Sequence, residues 1–388
     1  MSLSKKHPDV KRILVVIDSL GYGGAERLLV SILPKINKNS LIVDVVVLLS
    51  DISLMPELTK QGVNVIPLNA PNRWSFFKIL KSMNKHMKMG NYDIVWGHLY
   101  FGNLYSVILG YFFPKLKVIW TLHSPGYSNN PPKKVAHKIK AYVEQYFGNN
   151  RVDSIVAVSK SVASDYKNTT NWKLISVIYN GVDFSTFPHA SSKKDIINIR
   201  GKYKINKSDF LIVTPGRYAP EKGHKFMIDA LERLSNKHGK QVQWISVGSG
   251  TYKVYVDKLR KSSGIANNIH LLDSMPHQEL LLLMQSSDLV VIPSIKEPFG
   301  IAAVESMGLG IPTITSYVDG LIEVVSGDIE SINNVTHGNS RELAQAIFIM
   351  LGDARLRDEV SSIGKNRALS LFDIKHSVDK WAGLLRDV

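Results

Sequence analysis

DLVVIPSIKEPFGIAAVESMGLGIPTITS, residues 288–316, decides the fold. It opens on a continuous apolar run, DLVVIPS (288–294), and closes on a second strand-like segment rich in β-branched residues, IPTITS (311–316). Between them a Pro-Phe-Gly turn leads into a compact helical stretch. Two short strands joined through a helix, the first of them continuously apolar, suit a parallel sheet covered on both faces. The stretch also sets two acids, Glu297 and Glu305, around a glycine-flanked helix start. Gly300 and Ile301 should begin the helix and leave free amides where a phosphate could bind. Glu305 should then lie one to two turns in. Carboxylates suit sugar or ribose hydroxyls, since each accepts two hydrogen bonds at once. Acids near helix starts are common, so the weight comes from the spacing, the Pro-Phe-Gly turn and the small Ala302 and Ala303, which permit close approach.

The same strand–helix rhythm extends both ways. Toward the N-terminus come FLIVTPGR (210–217), VQWISVG (242–248) and NIHLLD (268–273), with HKFMIDALERLSN and HQELLLLMQSS as helices between strands. Before them, residues 184–208 are polar and weakly patterned, and read as a linker region. Earlier still the pattern repeats: RILVVID (12–18), LIVDVVVLL (41–49), VNVIPL (63–68), YDIVWGH (92–98), KVIWTLH (117–123), SIVAVS (154–159) and ISVIYNG (175–181). The last segment, LFDIKHSVDKWAGLLRD, is an amphipathic helix with Phe372, Val378, Trp381 and Leu385 near one face. The reading is α/β: two tandem doubly wound Rossmann-like domains, 1–190 and 191–370, with a terminal helix at 371–388. Ligands of such sheets bind off the C-terminal ends of the strands, so two domains facing across a cleft would line it with those loops.

Two loops carry further chemistry. DSLGYGGAERLL follows the first strand and opens a helix, so Gly21, Gly23 and Gly24 present bare amides to an anion. It lacks the spacing of a dinucleotide fingerprint, and a plain strand–helix turn would look similar. PGRYAPEKGHKF places Arg217 and Lys222 between a strand and a helix. A guanidinium fork and an ammonium point charge there suit a diphosphate, although a solvated loop can carry the same two cations. His98, in WGHLYFGN, ends another strand and could face an acceptor together with Asn103, or be a buried structural histidine.

In sequence order, GYGGAER (21–27), TLH (121–123), AVSKSV (157–162), NGVD (180–183), GRYAPEKG (216–223) and PSIKEPFGIAAVE (293–305) resemble the retaining glycosyltransferases of family 4. That is a large GT-B-fold group whose members include sugar transferases acting on lipid and lipopolysaccharide acceptors. The resemblance covers nearly the whole chain. It implies that Gly23 and Gly24 face the donor diphosphate and that Arg217 and Lys222 neutralise it as the bond breaks. It implies that Glu297 holds donor-sugar hydroxyls, assisted by amides around Phe299, Gly300 and Ile301, and that Gly248 belongs to the donor-binding set. Glu305 would bind the ribose, and His123 would touch the transferred sugar. UDP is the family's commonest donor nucleotide, with GDP and ADP as alternatives. The implied outcome is retention of configuration by same-face attack, and the terminal helix would cross back to the N-terminal domain. No D-x-D occurs in the chain, so no metal clamp is expected and the two cations stand in for it. No cofactor is needed, because the nucleotide-sugar is a substrate. The chain departs from the family at SYVDGLIEVV, where Asp319 stands at a position commonly glycine, while Gly320 and Glu323 match.

Composition bounds the partners. The 388 residues are 44% apolar and 21% charged, as in a folded protein. There is no cysteine, which excludes disulfides, thiolate metal sites and a cysteine nucleophile. No apolar run reaches the ~18–20 residues of a membrane span, and the N-terminus lacks a signal-peptide core, so a cytoplasmic protein is expected. The net charge of +15 is uneven. Residues 1–190 hold 23 Lys and Arg against 11 Asp and Glu, whereas the remainder holds 25 against 22. On a helical wheel over residues 73–90, Phe76, Leu80, Met83 and Met87 share an arc of about 60°, and Lys78, Lys81, Lys85 and Lys88 one of about 80° opposite. With KKVAHKIK (133–140), this suits an anionic membrane surface and peripheral attachment at the inner face. No nucleic-acid motif accompanies the charge, so nucleic acid is not expected as a partner. The acceptor would be a glycan or lipid-linked molecule of cell-surface polysaccharide or lipopolysaccharide assembly. The competing readings are a GT-B-fold sugar-nucleotide epimerase and a non-catalytic sugar-binding protein. A phosphorylase would need a cofactor lysine site and greater length, and a Rossmann oxidoreductase is disfavoured by the first loop.

Overall fold

The computed structural model describes residues 10–38, 40–126, 135–172, 174–188, 193–235, 242–325 and 334–388. The chain divides into two compact units, Met1–Gly181 with Ile374–Val388, and Val182–Asp373.

In the first unit, seven strands form one wholly parallel sheet. They are β1 (Lys11–Ile17), β2 (Leu41–Val47), β3 (Asn64–Pro67), β4 (Ile94–His98), β5 (Lys117–Leu122), β6 (Ser154–Ala157) and β7 (Ser176–Val177), ordered β3-β2-β1-β4-β5-β6-β7. The helices are α1 (Gly24–Ile36), α2 (Met55–Thr59), α3 (Phe76–Gly90), α4 (Leu99–Phe112), α5 (Val135–Asn150) and α6 (Lys160–Thr169). The valine- and isoleucine-rich runs of β1 and β2 are almost wholly buried, because helices cover both faces of a parallel sheet. The C-terminal helix, Ile374–Asp387, completes this core: Trp381 packs at a tilt against Trp96 of β4, ring centroids 4.3 Å apart, and Leu385 is fully buried.

The second unit repeats the plan. Its strands are β8 (Phe210–Pro215), β9 (Val242–Val247), β10 (Ile269–Leu272), β11 (Leu289–Ile292), β12 (Thr313–Ser316) and β13 (Asn334–Val335), all parallel and ordered β10-β9-β8-β11-β12-β13. Helices α7 (Lys193–Lys202), α8 (His224–Ser235), α9 (Lys253–Ser262), α10 (His277–Gln285), α11 (Ile301–Gly308) and α12 (Asp319–Val325) alternate with them. Two more helices follow, Ser340–Gly352 and Ala354–Leu371.

The boundary falls at Gly181, ahead of the 190 read from the sequence. Residues 184–186 form a short 3-10 turn already anchored to the second unit. Gln278 donates to the Thr186 carbonyl at 2.9 Å, and the Phe184 ring lies where a Gly308 side chain would stand. The supposed linker also contains α7, whose Arg200 binds the carboxylate of Asp288.

In each sheet the strand order reverses once, between β1 and β4 and between β8 and β11. At such a reversal the loops after the two strands leave toward opposite faces and open a crevice at their C-terminal ends. The β1 loop and His98 lie at the first reversal. The Arg217–Gly223 loop and residues 293–300 lie at the second.

The lysine face of α3 forms, and Lys78, Lys81, Lys85 and Lys88 are all exposed. Its buried stripe is Ile79, Met83 and Met87, rotated from the expected one, with Phe76 and Leu80 only half-buried. Phe77 is 94% exposed beside the lysines, and Trp74 just before the helix is 66% exposed. Of the second basic stretch, residues 133 and 134 lie outside the described residues. Lys140 sits 3.9 Å over the Tyr100 ring. Among the described residues, no helix is long and apolar enough to cross a membrane.

Candidate active site

The second reversal gathers most of the expected residues. β11 pairs with β8 through Leu289 and Ile212, so their loops leave side by side. They are laced together: Ile295 N–H donates to the Glu221 carbonyl at 2.7 Å. Gly223 has φ +71°, and a Cβ there would stand 1.8 Å from the Pro293 carbonyl oxygen, so only glycine fits. Gly248 serves the neighbouring strand similarly, since a Cβ would lie 2.0 Å from the Gly216 carbonyl oxygen.

This lacing brings Lys222 and Glu297 together. Lys222 Nζ and Glu297 Oε2 are 2.5 Å apart, with only 21% and 14% of the side chains exposed. Ser294 Oγ donates to the same carboxylate oxygen at 3.2 Å. The Glu297 backbone is held from α12: its N–H donates to Asp319 Oδ2 at 3.1 Å, and its carbonyl accepts from Gly320 at 3.0 Å. Asp319 adopts φ +41°, the left-handed region that glycine occupies without strain. Aspartate tolerates that backbone better than most residues, and its carboxylate fixes the Glu297 loop.

Gly300 is the N-cap of α11, and the helix runs from Ile301, as the sequence suggested. The first-turn amides therefore have no intrahelical acceptor. The Phe299 side chain turns away into the core, edge-on to Phe372 at 5.5 Å, so only its backbone is available to a ligand. Glu305, on the second turn, is 7% exposed and lies 2.7 Å from His277 Nε2 at the start of α10. Nothing in the sequence marked His277, because the contact is made between residues on separate helices.

Arg217 does not join Lys222. It is exposed and pairs with Glu221 at 3.0 Å. It also lines a pocket of about 700 Å³ with Tyr218, Gly250, Tyr252, Tyr255 and Lys258.

The first unit's reversal is different. Gly23 caps α1 and Gly24 begins it, but the Glu26 carboxylate lies where a Gly23 side chain would be, and that of Asp51 where a Gly21 side chain would be. Burial pushes the Glu26 carboxyl up, against hydrogen bonds from its own backbone and Ser19 that pull it down. Beneath, at the end of β1, Asp18 is 6% exposed, accepts from the Gly102 amide and pairs with Arg73 at 2.8 Å. Burial raises the Asp18 carboxyl, and Arg73 partly offsets the rise.

His98 and His123 end adjacent strands, with His98 Nδ1 2.9 Å from His123 Nε2. His123 is half-buried, but His98 is wholly buried and Asn103 is 3% exposed. The expectation that His98 and Asn103 face an acceptor is therefore corrected. His98 packs on Trp96 at 4.6 Å, and Asn103 Nδ2 donates to the Thr121 carbonyl at 3.4 Å. Among the described residues, no three His, Asp or Glu side chains gather as a metal-binding group.

With this geometry in hand, the relatives can be placed. Residues 22–186 match the family model Glycosyltransferase Family 4, and residues 195–367 match Glycosyl transferases group 1. An uncharacterized glycosyltransferase of Methanocaldococcus jannaschii is 26% identical over 78% of this chain and 79% of its own length. The crystal structure of Anabaena HepE in complex with UDP-glucose superposes with a TM-score of 0.84 at 22% identity, covering 97% of this chain and all of that one. WaaG, a glycosyltransferase involved in lipopolysaccharide biosynthesis, superposes with a TM-score of 0.71 at 17% identity, covering 96% and 99%.

The buried histidines give a pH signature. Burial lowers His123 and His224 from the ordinary 6.5 to about 4, and takes His98 well below it. Lys222 adds to the effect at His224, and His123 adds at His98. Between pH 6.5 and 4 the unfolded chain binds protons that the folded chain refuses, so their stabilisation is complete above pH 6.5 and falls through that window. The slope per group approaches ~1.4 kcal/mol per pH unit. Asp18 and Glu26, raised by burial, act in the opposite sense, so a single-site difference is the cleaner reading. Both His224 ring nitrogens are buried without partners among the described residues. His224→Leu should therefore leave the urea midpoint at pH 7.5 undiminished and flatten its fall toward pH 5. An unchanged pH dependence would contradict the assignment.

Proposed function

Because the chain belongs to glycosyltransferase family 4 and has the GT-B fold, we propose that it transfers a sugar from a nucleoside diphosphate donor, a UDP-sugar first, with retention and without a metal. The acceptor is a glycan or lipid-linked molecule of cell-surface polysaccharide or lipopolysaccharide assembly. The observation that carries the reading is the Lys222–Glu297 pair beside the start of α11. HepE, solved with UDP and with UDP-glucose, supports the donor class, and WaaG supports the acceptor class.

In the free protein Glu297 neutralises Lys222. A donor diphosphate takes over the ammonium, and the released carboxylate accepts from sugar hydroxyls. As the anomeric carbon–oxygen bond breaks, its electron pair passes to the diphosphate oxygen. Lys222 and the α11 amides, with Arg217 once it swings away from Glu221, stabilise that charge more than they stabilise the ground state. The acceptor hydroxyl attacks the same face, and its proton passes to the departing phosphate oxygen. Glu305 accepts from the ribose hydroxyls, and His123 contacts the transferred sugar.

Thermal unfolding with UDP, GDP, ADP and NAD tests the donor. One nucleoside diphosphate should raise Tm selectively, less so in Glu305→Ala. Lys222→Ala should lower kcat by roughly 10²–10³ with the matching nucleotide-sugar. No shift with any nucleotide, or a shift with NAD alone, would refute the donor reading.

Peripheral attachment to an anionic membrane belongs to the same proposal. It is supported by the exposed lysines of α3 with Phe77 and Trp74 beside them. Each lysine near such a surface contributes about 1 kcal/mol. Binding to phosphatidylglycerol vesicles at low salt should be lost in Lys78→Glu/Lys81→Glu/Lys85→Glu, and equal binding to neutral vesicles would contradict it.

A further inference from the structure

His98 and His123 meet at the C-terminal ends of β4 and β5, with His98 Nδ1 2.9 Å from His123 Nε2. Both imidazoles are held neutral by burial, so a single proton lies between the two nitrogens. It belongs either to His98 or to His123, and the rest of the His98 ring decides which. His98 is 0% exposed, and its Nε2 meets no partner among the described residues. If the shared proton sat on His123 Nε2, neutral His98 would carry its own proton on Nε2, a buried donor with no acceptor. If it sits on His98 Nδ1, Nε2 is left as an unused lone pair. Orphaned buried donors are rarer than under-used acceptors, so the second arrangement is favoured.

The ring is fixed from behind. Trp96 backs it at 4.6 Å, and the Trp96 indole N–H donates to Thr121 Oγ1 at 2.7 Å. Trp96 in turn packs at a tilt against Trp381 of the C-terminal helix.

We propose that His98 is a positioning residue that donates from Nδ1 to His123 Nε2 and thereby holds His123 as its Nδ1–H tautomer. His123, half-buried beside it, then offers a hydrogen-bond donor to an oxygen of the substrate and is not available as a base through Nε2. This rests on the reading that His123 contacts the transferred sugar, but its test is made on the free protein and stands apart from activity.

The measurement is the ring-nitrogen NMR spectrum of the full chain labelled with ¹⁵N-histidine at pH 7.5. His123 is assigned among the 12 histidines by loss of its signals in His123→Gln. The wild type should show a protonated Nδ1 and a bare Nε2 at His123. His98→Asn, whose short amide can place an N–H near the lost Nδ1, should keep that pattern. His98→Leu should lose it, with the proton moving wholly or partly to Nε2. A His123 protonated at Nε2 in the wild type overturns the proposal, and so does an unaltered Nδ1–H pattern in a folded His98→Leu. Should His98→Leu fail to fold, the wild-type tautomer alone decides.

Discussion

The interlock of the loops after β8 and β11 is the constraint on which the proposed site depends. Parallel order sets these strands side by side, and the reversal sends their helices to opposite faces. The Glu221 carbonyl, the Pro293 carbonyl and the glycine at 223 then fix how closely the loops approach. Only at that spacing can Lys222 and Glu297 form their ion pair. Mostly buried ion pairs contribute little net stability, because desolvation offsets attraction. In the proposed function its use lies elsewhere, in holding a cation and a carboxylate ready to exchange partners when a diphosphate and a hydroxyl-rich ring arrive.

The two units share a strand order but not an electrostatic character. The first unit's reversal has two neutral histidines, the Asp18–Arg73 pair, and the carboxylates of Glu26 and Asp51 against the glycine loop. The second has a lysine and first-turn amides. A diphosphate is better matched to the second. Among the described residues of the first half, Lys78, Lys81, Lys85 and Lys88 of α3 carry positive charge on the surface.

Most of the architecture was legible because strands buried on both faces must be continuously apolar, a signal that needs no neighbours to interpret. The two-residue β13 was not, since so short a segment has no periodicity. The helix start at Gly300 followed from placing the loop after a strand, whereas the pairing of Lys222 with Glu297 was not foreseen. Contacts set by tertiary packing were invisible: His277 on Glu305, the burial of His98 and Asn103, and the separation of Arg217 from Lys222. The wheel for α3 found its charged face but misplaced its buried stripe. The lysines needed only solvent, whereas the apolar residues chose whichever side the underlying structure admitted.

The most direct test is a crystal structure of the protein soaked with UDP. The account predicts the diphosphate within hydrogen-bond reach of Lys222 Nζ and the first-turn amides of α11, with the Lys222–Glu297 contact lengthened and the ribose at Glu305. A diphosphate lodged in the Tyr252–Tyr255 pocket, away from Lys222 and with the ion pair intact, would contradict it.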